Sequence, residues 1–341
     1  MKAYLQGMVL GILALGGPAA LAWNAEGHQT VGAIADSLLA GTHAGKEVSK
    51  ILGSGETLQL AALWADCAKG VVKNKKTGVY HYVVSPKFKV CAPFESAAGQ
   101  KAMVSFAKRN WEQCRPAADE EICHKQYHYA DVAIERNAYA RTETGTSDHD
   151  VVSAINAAIA VLKGGSAPAP FNFASRKEAL RVLAHYVGDV HQPLHVGAIY
   201  LSTTGQEVDP DSGTFDHATK TRGGNLIQDG TSGLHHEWDE IPAALQIPSF
   251  LPDGVAAAKL VPVTPGAVPT WAAQWATDTV IASHTAFQGL TFGAEIDPGK
   301  KQAHWPAAAP VDYAAVRATL QKTQLVKGSA RLAQLLEALW P

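Results

Sequence analysis

The 341-residue sequence has no surplus of basic charge: 29 Lys and Arg stand against 31 Asp and Glu. A protein that holds nucleic acid by Lys and Arg alone usually carries such a surplus. If this chain handles phosphates, metal ions must supply much of the positive charge. The sequence also lacks a Gly-x-Ser-x-Gly turn, so no serine nucleophile is marked. Its four cysteines include no Cys-x-x-Cys pair, which argues against a Cys₄ zinc site. No Asn-x-Ser/Thr sequon occurs, so N-glycosylation contributes nothing and a bacterial source is favoured. Alternating strand patterns are scarce, internal repeats are absent, and no segment reads as a membrane helix.

What is present points to a helical, exported protein. Nearly half of the residues are hydrophobic, enough for a substantial core. Lys2, the apolar stretch from Met8 to Leu15 and Ala20-Leu21-Ala22 read as a signal peptide over residues 1–22. Cleavage after Ala22 leaves Trp23 at the mature N-terminus, in the periplasm or outside the cell. Cys67, Cys91, Cys114 and Cys123 fit an oxidising compartment. Three pairings are open; Cys67–Cys91 with Cys114–Cys123 is favoured because both close local loops.

Helical periodicity dominates. Val31, Ile34, Ala35 and Leu38 form one apolar stripe; Val152, Ile155, Ile159 and Leu162 form another. Ser147, with Asp148 and Asp150, is expected to open the second helix. A third helix runs from Arg176 to Val190 behind the cap Ser175, and Leu332 to Leu339 marks a last one. Lys73 to Glu95, Gly164 to Pro170 and Tyr200 to Gly224 read as loops. The class is all-α, with residues 23–341 as one domain and insertions at about 67–127 and 198–222.

The chemistry concentrates in two segments. In the first, from His185 to His195, His185 and Asp189 share a helical face at i and i+4. Pro193 then ends the helix and lets His195 turn back. In the second, Leu234 to Asp239, His235 and Asp239 repeat the i, i+4 spacing. Imidazole and carboxylate are ordinary zinc ligands. A lone helical His is more often a packed residue, but two such pairs plus a further His outweigh that reading. His191, His217, His236 and His284 are left as structural or surface residues. Trp23 and His28 lie five apart, and Asp66 lies in Trp64-Ala-Asp66.

In this order, Trp23…His28, Trp64-Ala-Asp66, His185-x3-Asp189-x-His-Gln-Pro-Leu-His195, Gly223-Gly-Asn225 and Leu234-His-x-x-Trp-Asp239 resemble the trinuclear zinc nucleases of fungi, plants and bacteria, the S-one/P-one type. The resemblance covers most of the mature chain. It implies one more ligand His between Asp66 and His185. His128, in Tyr-His-Tyr-Ala-Asp131, fits the family's His-aromatic-x-Asp pattern. His81 carries valine where that Asp should stand, so His128 is chosen.

The resemblance implies three zinc ions. Asp66, His128, His185 and Asp189 would hold the first, and His195, His235 and Asp239 the second. The Trp23 amino and carbonyl groups, His28 and a bridging Asp189 would hold the third. An activated water would attack phosphorus, and the second ion would stabilise the leaving 3′-oxygen. Lys69, where the family often carries Arg, would stabilise phosphate charge, oriented by Asp131. Tyr129 would stack a base and Asn225 would contact substrate. The implied reaction cuts single-stranded DNA and RNA to 5′-phosphate products, with 3′-nucleotidase activity alongside. The family's second aromatic clamp is absent; Gly230-Thr-Ser-Gly233 stands there. A zinc phospholipase C is the nearest alternative, disfavoured by Asp239 and the short gap from Trp23 to His28. A non-catalytic zinc or nucleic-acid binder is the other. Asp209, Asp211 and Asp216 resemble a calcium loop only faintly.

Overall fold

The computed structural model describes residues 23–118, 120–230, 232–298 and 303–341. The expected signal peptide and its cleavage site lie outside the described residues. Among the described residues twelve helices dominate: α1 (Ala25–Leu39), α2 (His43–Leu52), α3 (Leu58–Ala61), α4 (Trp64–Ala68), α5 (Ala97–Arg109), α6 (Cys123–Gln126), α7 (Val151–Leu162), α8 (Arg176–Asp189), α9 (Leu234–Asp239), α10 (Leu251–Ala258), α11 (Trp271–Phe287) and α12 (Tyr313–Leu339). The expected all-α class holds, with short strands added. None of the described helices is long and apolar enough to cross a membrane.

Helix α8 is the hub. It packs against α7, α12, α3, α2, α4 and α1, and every residue from Val182 to Asp189 is buried. Its charged residues Arg176, Lys177, Glu178 and Arg181 lie toward the N-terminus, and the turns after them are covered on every side. The pair His185 and Asp189 sits at its C-terminal end, buried inside the molecule rather than on a surface loop. Ser175 caps its N-terminus as expected, accepting from Glu178 N–H. The helix ends at Asp189, ahead of Pro193, which opens a 3₁₀ turn to His195.

Among the described residues strands occur only as small pieces. β1 (Val71–Lys73) and β2 (Tyr80–Tyr82) form an antiparallel hairpin. β3 (Val132–Ala133) and β4 (Gly197–Ala198) pair in parallel. β5 (Ile227–Asp229), β6 (Ser232–Gly233), β7 (Thr291–Phe292) and β8 (Trp305–Ala308) form a sheet ordered β6-β5-β8-β7. The β3–β4 pairing extends to Ala130 N–H, which donates to His195 O at 2.8 Å. That ladder fixes the chain carrying His128 beside the chain carrying His195.

Two expectations are corrected. Helix α7 is capped by Asp150, which accepts from Ser153 N–H; Ser147 lies outside it and offers its carbonyl to Ser153 Oγ. Ser and Asp are both good caps; Asp150 stands directly before Val151 and also accepts from Tyr139 Oη at 2.6 Å. The Lys73–Glu95 stretch is not simply a loop: it holds most of the β1–β2 hairpin and a 3₁₀ turn. Parts of the 67–127 stretch are built into the body, with Cys67, Cys91, Met103, Phe106 and Ala107 in the main core. The disulfides are Cys67–Cys91 and Cys114–Cys123, the favoured pairing.

Candidate metal centre

Three groups of side chains converge beside the end of α8. They are His28, His185 and Asp189; Asp66, His128 and His185; and His195, His235 and Asp239. Within each group the potential ligand atoms lie within 4.8 Å of one another. All are buried apart from Asp66, which is partly so. The first two groups share His185, and Asp189 joins them. Its Oδ1 lies 3.3 Å from His28 Nε2, and its Oδ2 lies 2.9 Å from His128 Nδ1 and 3.2 Å from His185 Nε2. The third group adjoins: His195 Nδ1 is 3.9 Å from Asp189 Oδ1.

The far side of three rings explains their orientation. His185 Nδ1 donates to Ala62 O at 2.5 Å, His195 Nδ1 to His128 O at 2.9 Å, and His235 Nδ1 to Gly223 O at 2.6 Å. With the proton on Nδ1, each ring presents an Nε2 lone pair inward. The consequence is two lone-pair-bearing nitrogens, His195 Nε2 and His235 Nε2, only 3.1 Å apart. Such a pair repels unless a positive charge lies between, and Asp239 approaches both, at 3.8 and 3.5 Å. Both nitrogens of His28, Nε2 of His128 and Oδ1 of Asp189 are buried without a hydrogen bond. Orphaned buried acceptors are costly, and this donor set of imidazole and carboxylate fits divalent cations of the zinc type.

Three of the rings are held in the neutral form. Burial above all, then the neighbouring His185, pushes His28 down to about 4. Burial, then Lys69, takes His128 to about 3; burial, then His195, takes His235 to about 3. These rings are neutral at pH 7, the form a metal needs. Burial opposes ionisation of Asp66, but Lys69 and the three nearest imidazoles outweigh it and hold it well below the usual carboxylate range.

The N-terminal segment is bound in twice. Trp23 is fully buried and its indole N–H donates to Gly188 O at 2.9 Å. Asn24 N–H donates to Asp239 O at 2.9 Å. Asn24 then caps α1, and His28 follows in its first turn. Gly188 leaves room for this: a Cβ there would meet His28 Nδ1 at 2.9 Å and Trp23 Cδ1 at 3.8 Å.

The remaining expected residues fall as follows. Lys69 Nζ lies 2.8 Å from Asp66 Oδ1, largely buried at the edge of the centre. Asp131, expected to orient it, is instead under the charges of Lys220 and Arg222; burial raises its carboxyl to about 6. Tyr129 is partly exposed one residue after His128. Asn225 is exposed, and its Nδ2 donates to Arg222 O at 2.8 Å, closing the turn that presents Gly223 O to His235. His81 is exposed on β2, away from the buried groups, whereas His128 is only 1% exposed among them. His191 bonds Val187 O and Arg331, and His284 bonds Arg136 O; His236 is exposed. Asp209 and Asp211 pair with Arg136, so an arginine takes the place of any calcium ion there.

Sequence reasoning missed Gln192, whose Nε2 donates to Asp239 Oδ1 at 2.7 Å. Its position inside His-Gln-Pro-Leu-His was the available signal. The carbonyl anchors of Ala62 and Gly223 carried no signal, because every residue has a carbonyl.

Comparison with known proteins agrees with this geometry. The family model described as S1/P1 Nuclease matches residues 23–114 and 112–340. The chain belongs to the S1/P1 nuclease family. Among curated proteins, Endonuclease 5 of Arabidopsis thaliana is 27% identical over 265 residues, 74% of this chain and 69% of its own length. Endonuclease 4 of Arabidopsis thaliana is 27% identical over 228 residues, 65% of this chain but only 56% of its own length.

Proposed function

We propose that this S1/P1 family member is a metal-dependent endonuclease that hydrolyses phosphodiester bonds of single-stranded DNA and RNA to 5′-phosphate products, with 3′-nucleotidase activity. The observation that carries the proposal is the convergence of three His/Asp groups whose imidazoles are fixed by main-chain carbonyls.

Three zinc ions fit the donor set. Asp66, His128, His185 and Asp189 would hold one, and His195, His235 and Asp239 a second. His28, Asp189 and the Trp23 amino and carbonyl groups would hold the third. When bound, the ions supply Lewis-acid charge that lowers the pKa of water and neutralises phosphate oxygens. The protein does the positioning. Asp189 spans the two groups that share His185, so phosphorus approaching them meets a fixed frame. Lys69, held by Asp66, keeps a positive charge beside the centre and can stabilise charge building on a phosphate oxygen. Its ammonium lacks the bidentate fork of Arg, so it acts as a point charge. Tyr129 offers a partly exposed ring for stacking a base, which suits unpaired strands. Asn225, exposed in the Gly223 turn that holds His235, would contact substrate.

Removal of residues 1–22 would free the Trp23 α-amino group, and the two disulfides suit export to the periplasm or beyond. The test is the metal content of signal-cleaved protein, alongside a version with one extra residue before Trp23. The first should hold three zincs and cut single-stranded DNA; the extended version should lose one zinc and most activity. Three zincs and full activity in both would refute the third site. A cleaved protein that hydrolyses phosphatidylcholine but not single-stranded DNA would refute the substrate.

A further inference from the structure

The chain as a whole carries no basic surplus, yet one stretch does. From Cys67 to Phe94 the sequence has six Lys and neither Asp nor Glu. The chain within this stretch leaves α4 immediately after the Asp66–Lys69 pair, forms the β1–β2 hairpin, and returns to α4 through Cys91–Cys67. Val83 N–H also donates to Gly70 O at 3.0 Å, closing the hairpin at its base. The projection is thus rooted at the rim of the metal centre.

Its inner face is anchored. Tyr80 packs edge-on against Trp111 at 4.9 Å, and Tyr82 Oη donates to Glu95 at 3.0 Å. The register Val72↔His81 puts those two side chains on the opposite face, and both are exposed. Lys75 and Lys76 crown the turn; Lys87 and Lys89 flank the exposed Phe88 after β2. None of these four lysines forms an ion pair among the described residues, whereas Lys73 is taken by Glu112.

We propose that this hairpin is an accessory binding site for the phosphate backbone of single-stranded nucleic acid, lengthening the path of substrate away from the metal centre. The proposal rests on the nuclease reading. Charge complementarity selects the occupant: lysines without acidic partners in an otherwise balanced chain attract a polyanion. His81 and Phe88, exposed among those charges, offer rings to unpaired bases, the pattern of sequence-tolerant strand binding. Six residues separate Lys69 from Lys75, so the site can extend up to ~20 Å beyond the reacting phosphate. A dinucleotide would not reach it; a longer strand would.

The experiment replaces Lys75, Lys76, Lys87 and Lys89 together by Gln in the mature protein, with a fourfold Lys→Arg variant as control. Binding of a fluorescent 20-nucleotide single strand and KM for the same strand are measured across a salt series. A dinucleotide serves as short substrate. The Gln variant should bind the long strand about tenfold more weakly and show a shallower salt slope. Each lost phosphate contact removes about 0.7 from that slope. The dinucleotide kinetics and the melting temperature should not change, and the Arg variant should match the parent. Equal long-strand binding by parent and Gln variant overturns the proposal. So does weaker cleavage of both substrates in proportion, or lysine-dependent binding to phosphatidylserine vesicles without any effect on the strand. If the parent cleaves neither substrate, the nuclease reading fails, and strand binding still decides this one.

Discussion

Gln192 Nε2 donates a 2.7 Å hydrogen bond to Asp239 Oδ1. The same amide accepts from Leu194 N–H at 2.5 Å, which fixes its orientation. Asp239 Oδ2 is thereby left facing His235 Nε2 at 3.5 Å. Gln192→Leu should therefore weaken the His195/His235/Asp239 group by ~10–100-fold in metal affinity, the usual cost of losing a partner behind a ligand. Competition with a chromogenic chelator measures it. Three unchanged affinities would show that Asp239 needs no such support.

Gly188 is predicted to tolerate no side chain. A Cβ would come within 2.9 Å of His28 Nδ1, so His28 or the backbone must shift. Gly188→Ala should cost about 1–3 kcal/mol by overpacking and lower bound metal by one ion. Urea denaturation and metal analysis read the two effects separately. A variant with parental metal content would place His28 outside the centre.

Metal removal should lower stability as well as activity. The centre joins α1, α4, α8 and α9, and ligand binding to the native state alone stabilises it. Excess chelator should reduce the melting temperature by several degrees, and added zinc should restore it. An unchanged melting temperature with complete metal loss would contradict the arrangement.

Asp131 should make stability depend on pH in a defined window. Burial raises its carboxyl from 3.8 to about 6. Well below pH 4 it is neutral in both folded and unfolded chains, so it carries no penalty. Between pH 4 and 6 the unfolded chain ionises while the folded one holds its proton, and stability falls as pH rises. Above pH 6 the loss is constant. Asp131→Asn should thus match the parent near pH 4 and exceed it at pH 7 by about 1–2 kcal/mol, allowing for the group's partial exposure. Paired urea titrations at both pH values check the sign; a variant less stable at pH 7 would reverse it.

The donor set was legible because its chemistry and spacing are both carried by side chains. His185 with Asp189, and His235 with Asp239, need only a helix to share a face. That His128 rather than His81 lies among the buried groups was also legible, from the Asp131 that follows it. What escaped was set by tertiary pairing. Ser147 and Asp150 are both good caps on paper, and only the folded chain shows that the helix starts at Val151, directly after Asp150. Asp131 was expected beside Lys69, but Asp66 lies one helical turn from it and takes the ion pair. The Lys73–Glu95 stretch lacks a clean alternation, because its strands are three residues long and held by Trp111 and a disulfide.

Three imidazoles lean on the oxygens of Ala62, His128 and Gly223 rather than on carboxylate side chains. A peptide oxygen cannot be exchanged by mutation. Drift at Ala62 would leave its grip on His185 intact as long as α3 keeps its path. The vulnerable events are insertions, deletions or prolines that move the chain, and at Gly223 any residue reluctant to adopt φ +57°. The aim of the rings is inherited with the trace of the polypeptide, not with the identity of the residues that hold it.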